Sequence, residues 1–140
     1  METEFKPPWL LYPIAWLSMG WNQGSAQKDN FEFQRWYLDL TEDDQGSFKA
    51  EYPESPWWPG YYFYIENIGK KNLGGINPIE YIKDVNRKLR AYANTQYQTA
   101  VDLEARGDLK GAHSIYADLR DNSHGCCENI EQVMKFLDNY

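Results

Sequence analysis

Cysteine is almost missing from this 140-residue chain, and the two that occur, Cys126 and Cys127, are adjacent. Neighbouring residues suit neither the separation nor the directions of an ordinary disulfide, so no covalent framework is expected and the thiols fit a reducing, cytoplasmic setting. Long apolar runs are missing too, which leaves no candidate for a membrane-spanning helix. The opening Met1-Glu2-Thr3-Glu4-Phe5-Lys6-Pro7-Pro8 lacks the basic and apolar regions of a secretory leader. Positive charge is scarce: 14 Lys and Arg stand against 21 Asp and Glu, for a net charge of −7 and a pI near 4.8. Such a balance argues against non-specific binding to nucleic acid or an anionic membrane, because both need a basic face.

The usual materials of catalysis are equally thin. There are 2 histidines, and no serine lies in a Gly-x-Ser-x-Gly elbow, so a nucleophilic triad has little to draw on beyond a formal pairing of Cys126 with His124. His113 with His124-Gly125-Cys126-Cys127 is an irregular fragment of a zinc ligand set, which needs spaced pairs aimed at one centre, and no metal is expected. Gly69-Lys70-Lys71 and Gly74-Gly75 lack Walker spacing, and no dinucleotide fingerprint occurs, so no nucleotide cofactor is expected either.

What is present is helix. From Asn77 to Arg106 the chain reads as one continuous element: Asn77 can cap, Pro78 fits the first helical position, and Glu80 completes a capping-box-like spacing. Ile79, Ile82, Val85, Leu89, Tyr92, Ala93, Ala100 and Leu103 recur at threes and fours until Gly107 supplies a left-handed stop. Lys83, Arg87, Lys88 and Arg90 form a basic side of that helix, read as a solvated face with ion pairs such as Asp84 to Lys88.

Upstream, the apolar stretch Trp9 to Leu17 is expected to be a short buried helix. Ser18 to Ser25 is a glycine-bearing loop around Trp21. Ser25 can cap a helix to about Leu40 that buries Phe33, Trp36, Tyr37 and Leu40, although Phe31-Glu32-Phe33 and Leu38-Asp39-Leu40 alternate as a strand would. Thr41 opens a further short helix, with Glu42, Asp43 and Asp44 in its first turn and Phe48 and Tyr52 inward. In Glu54-Ser55-Pro56-Trp57-Trp58-Pro59-Gly60, Ser55 can cap a helix that includes Tyr61, Tyr62, Ile65 and Ile68, in competition with the β-propensity of Tyr61 to Ile65. Both faces of that segment carry rings.

After Gly107, Ala112, Ile115, Tyr116 and Leu119 keep helical spacing. The positions Gly107, Asp108, Ala112 and Tyr116, with Ala100 and Leu103 before them, resemble the turn of a tetratricopeptide hairpin. The resemblance covers about thirty residues and implies an antiparallel helix pair. No second copy follows at the repeat period of about 34 residues, so it implies no array and no peptide-binding groove. A last helix is expected over Cys126 to Asp138, burying Ile130, Val133, Met134 and Leu137.

The expected fold is therefore all-α, a single domain over 1–140, an irregular helical bundle packed along the long central helix with a C-terminal antiparallel helical hairpin. Its functional reading rests on uneven composition. Residues 1–70 hold five basic against eleven acidic side chains, and residues 71–140 nine against ten. All 6 tryptophans fall in the first half. Rings and acids interleaved in this way suit an acidic protein of the inhibitor or immunity type, which blocks a basic partner such as a toxin or a nucleic-acid enzyme. The expected surface combines Glu42, Asp43, Asp44, Glu51 and Glu54 with Trp57, Trp58, Tyr61 and Tyr62. The alternatives are a small-molecule or carbohydrate site around the Trp21 loop and the Trp57-Trp58 turn, and a structural homodimer packing its rings on itself.

Overall fold

The computed structural model describes residues 5–12, 15–17, 24–123 and 125–140, and among these it contains eight helices and no strand. In order they are α1 (Pro8–Leu11), α2 (Gly24–Leu38), α3 (Glu42–Glu51), α4 (Tyr61–Asn67), α5 (Asn72–Gly75), α6 (Pro78–Ala105), α7 (Leu109–Asn122) and α8 (Ile130–Asn139). None of them is long and apolar enough to cross a membrane. The expected all-α class is what the chain adopts, and the stretches that could have been strands, 31–40 and 61–65, fall within or alongside α2 and α4.

α6 is the long central element, 28 residues or about 42 Å of helix. It starts as its sequence dictates: the Asn77 side chain accepts from the N–H groups of Ile79 and Glu80, with Pro78 in the first turn. It ends in a paired motif in which the N–H of Gly107 meets the carbonyl of Glu104 and that of Asp108 meets Leu103. Gly107 holds φ at +84°, and Asp108 then caps α7 by accepting from the N–H of Gly111 at 2.9 Å. α7 folds back on α6 over this turn, with Ala100, Ala112, Tyr116 and Leu119 buried, and α8 packs on α7.

The basic stripe is a solvated face. Asp84 holds Arg87 at 3.5 Å and Lys88 at 3.2 Å, and Glu80 holds Lys83 at 3.6 Å. Several expected core positions lie outside the core. Ile79, in the first turn of α6, is 67 % exposed, while Tyr81 of the same turn takes the contacts with Phe63 and Tyr64, and Ile68 and Met134 are exposed as well. The expected buried helix at 9–17 is only the single turn α1, which leaves Leu10 and Leu11 exposed while Ala15 and Trp16 are buried. The last helix begins at Ile130 instead of Cys126, after a turn in which Gly125 takes φ of +97°.

The largest group of packed rings forms where α1, α2, α3 and α4 meet. Phe33 lies 5.6 Å from Phe48 and 6.0 Å from Tyr37, and Tyr61 stands edge-on to Trp58 at 4.9 Å. Trp16 and Trp58 stack nearly parallel at 6.2 Å. Offset and edge-on pairs of this kind add about 0.5–1.5 kcal/mol each to the area they bury.

Candidate functional site

Of the expected partner-binding residues, the four aromatic ones are core. Trp57 is 4 %, Trp58 0 %, Tyr61 0 % and Tyr62 5 % exposed. Each has an internal partner for its polar atom or its face. The Trp57 Nε1–H donates to the Asp118 carboxylate at 3.2 Å, and its ring stands edge-on to Tyr92 at 4.8 Å. The Tyr61 hydroxyl donates to Asn30 Oδ1, and the Tyr62 hydroxyl donates to the Tyr52 carbonyl at 2.7 Å. Burial holds the Tyr61 and Tyr62 phenols well above their ordinary range, with nearby charges a smaller contribution. These rings therefore offer no anchor to an outside protein. The physical reason is that the sequence supplies them with one another: α4 is wrapped on one side by α1 and the 15–17 segment and on the other by α2 and α3.

The expected acids divide into two kinds. Glu54 has structural work, its carboxylate accepting from the N–H groups of Gly60 at 2.9 Å and Tyr62 at 2.8 Å. It satisfies the start of α4, the job assigned to Ser55 on sequence grounds, whereas Ser55 Oγ accepts from the N–H of Trp57 at 3.1 Å. Glu42, Asp43 and Asp44 occupy the first turn of α3, and Thr41 Oγ1 caps it from the Asp44 N–H at 3.2 Å. Glu42, Asp43 and Glu51 remain exposed.

Two exposed apolar residues lie outside the expected surface. Phe31 is 56 % and Leu38 44 % exposed on α2. They are seven residues apart and so share one helical face, opposite in phase to the buried Phe33 and Tyr37. The signal for them was present, since a helix that buries Phe33 and Tyr37 cannot also bury Phe31 on its far side. Glu32 and Asp39 flank the pair, with Lys28 and Arg35 on the same side of the helix, and Lys28 lies 3.9 Å from Glu32.

Among the described residues no group of three or more His, Cys, Asp and Glu is placed to hold a metal ion. His113 packs against Phe136 at 6.4 Å, and Cys126 and Cys127 are free thiols. His124 and residues 18–23 of the Trp21 loop lie outside the described residues. No protein-family model, no curated protein and no solved structure matches the chain.

Proposed function

We propose that this chain is an acidic, cytoplasmic protein-binding module of the inhibitor type, which engages a basic partner through the α2–α3 face instead of the Trp57-Trp58 turn. The observation that carries the reading is the exposure of Phe31 and Leu38 on one face of α2, the helix that the acidic first turn of α3 follows in the chain. Covering an exposed Phe or Leu side chain is worth about 1.5–3 kcal/mol, enough for two such residues to form the centre of an interface. Glu42 and Asp43 at the rim would speed encounter with a basic surface and reject an acidic one. A second copy of this chain is the less suited occupant, because each copy carries a charge of −7.

The test uses immobilised full-length protein exposed to an extract of the native host at low and high salt. A basic protein retained at low salt should be lost when Phe31→Ser and Leu38→Ser are combined, and retained more weakly by Asp43→Lys. Mass measurement of the free chain in solution should give a monomer. If every protein held by the wild type is held equally by both variants, the α2–α3 face is not an interface.

A further inference from the structure

A second feature lies where α6 meets the end of α7. Asn86, Leu89 and Arg90 share one face of α6, and with Ala15, Trp16, Leu17, Ser123, Gly125 and Cys126 they enclose a pocket of about 160 Å³. The walls are held in place. The Ala15 N–H donates to the Asn122 carbonyl at 3.2 Å and the Trp16 N–H to the Trp57 carbonyl at 3.1 Å, which ties the 15–17 segment to α7 and the tryptophan turn. The stacking of Trp16 on Trp58 fixes the indole.

One polar group of this pocket is buried without a partner among the described residues. Ser123 is 2 % exposed, its backbone N–H and carbonyl are engaged by Leu119 and Cys126, and its hydroxyl has no hydrogen-bond partner among the described residues. An orphaned buried hydroxyl is a cost to the folded chain, so a group that could bond to it would be bound with an advantage. Among the described residues Arg90 is the only charged side chain in the lining; it is exposed and makes no ion pair with a described residue. Its neighbours on α6 explain why: one turn away on either side stand Asn86 and Asn94, where Arg87 and Lys88 have Asp84. Cys126 adds no competing anion, because burial chiefly, and then the neighbouring Cys127, push its thiol up to about 11.

We propose that this pocket binds a small organic carboxylate, with its apolar body against Trp16, Leu17 and Leu89 and its carboxylate taking hydrogen bonds from the Ser123 hydroxyl and the Arg90 guanidinium. The volume sets the size, since a cavity of about 150 Å³ accepts a molecule as large as benzene. The charge sets the sign: one free guanidinium and one free hydroxyl match one carboxylate, and an unpaired cation gives a neutral ligand no comparable partner.

Benzoate is the probe, followed through the amide resonances of the full-length protein. Saturable shifts confined to residues 86–90, 15–17 and 123–126 are expected. Benzamide, the same size without the charge, should bind the wild type about tenfold more weakly, and Arg90→Gln should weaken benzoate by a similar factor. Ser123→Ala should weaken benzoate severalfold while raising the stability of the free protein, since it removes the orphaned hydroxyl. Inorganic phosphate separates a site for any anion from one that needs an apolar body, and should bind at least about tenfold more weakly than benzoate. The proposal is overturned if benzoate gives no saturable shift at these residues, if benzamide or Arg90→Gln matches wild-type benzoate binding, or if phosphate binds as tightly as benzoate.

Discussion

Two tyrosines buried within the same ring cluster should respond in opposite directions to the same substitution. Tyr37 and Tyr61 are both 0 % exposed, and each loses only its hydroxyl on replacement by Phe. The Tyr37 hydroxyl has no hydrogen-bond partner among the described residues, so the folded protein bears its desolvation without return. The ring itself keeps Phe33 at 6.0 Å, Phe48 at 6.0 Å and Tyr62 at 5.5 Å. Removing the oxygen forfeits a few tenths of a kcal/mol of dispersion and relieves about 1–3 kcal/mol of unmet desolvation, a net gain of about 1 kcal/mol. The Tyr61 hydroxyl donates to Asn30 Oδ1 and accepts from Gln34 Nε2 at 3.4 Å. Its loss leaves the buried Asn30 carbonyl with only the long bond from Gln34, and Tyr61→Phe should cost about 1–2 kcal/mol. The two variants should therefore lie about 2–3 kcal/mol apart in urea unfolding followed by far-UV circular dichroism, with equal denaturant slopes. If Tyr37→Phe is destabilised as much as Tyr61→Phe, the Tyr37 hydroxyl has a partner such as an internal water and the reasoning fails.

Gly60 holds φ of +78°, and a Cβ there would collide with the Tyr81 hydroxyl, which donates to the Gly60 carbonyl. Gly60→Ala should lower stability by at least about 1–2 kcal/mol, and an unchanged melting temperature would contradict the close approach. High pH should unfold the protein. Burial keeps the phenols of Tyr37, Tyr61 and Tyr62 protonated in the folded chain above their ordinary value of 10.0, so their contribution is complete below that pH. As pH rises past 10 the unfolded chain releases protons that the folded one retains, and each such phenol removes about 1.4 kcal/mol per pH unit. Absorbance at 295 nm should then rise together with the loss of helix, and full ionisation near pH 10 with the helix signal intact would refute this. With its thiol pushed up to about 11, Cys126 should react with a disulfide reagent at pH 8 about two orders of magnitude more slowly than free cysteine. Rapid labelling of Cys126, located by peptide mapping, would show that the thiol is not held protonated.

The parts of this fold that were legible in the sequence are those decided within a few residues. Asn77-Pro78 and Gly107-Asp108 bracket α6 because a cap and a left-handed stop need only their own neighbours, and the spacing of Ala112, Tyr116 and Leu119 settles which side of α7 faces α6. The start of α4 was illegible for the opposite reason. Its first N–H groups are satisfied by Glu54, which reaches across the tryptophan turn, and no local rule prefers it to Ser55. Arg90 falls between: its lack of an acidic neighbour at helical spacing was readable, but the pocket it lines also takes in Ala15, Trp16 and Leu17, which no local rule brings to it.

The expected surface rested on a single assumption, that rings in excess of what the long helix can cover must face water. Most of the first-half rings cover one another instead. Trp58 is sealed by Trp9, Trp16 and Tyr61, and Phe48 by Phe33, Trp36, Tyr37 and Tyr52. An aromatic side chain buries about 150–250 Å² against any apolar neighbour, so helices rich in rings can cover most of them by packing on one another, with Trp57, Phe63 and Tyr64 completed by Tyr92 and Tyr81 of α6. Rings and acids that alternate along the chain therefore separate in space, the acids of α3 outward and Phe48 inward, because helical phase sorts them. Interleaving in sequence is then no evidence for an aromatic–acidic surface. What discriminates is the apolar residue out of phase with its own buried face, and on α2 that criterion selects Phe31 and Leu38.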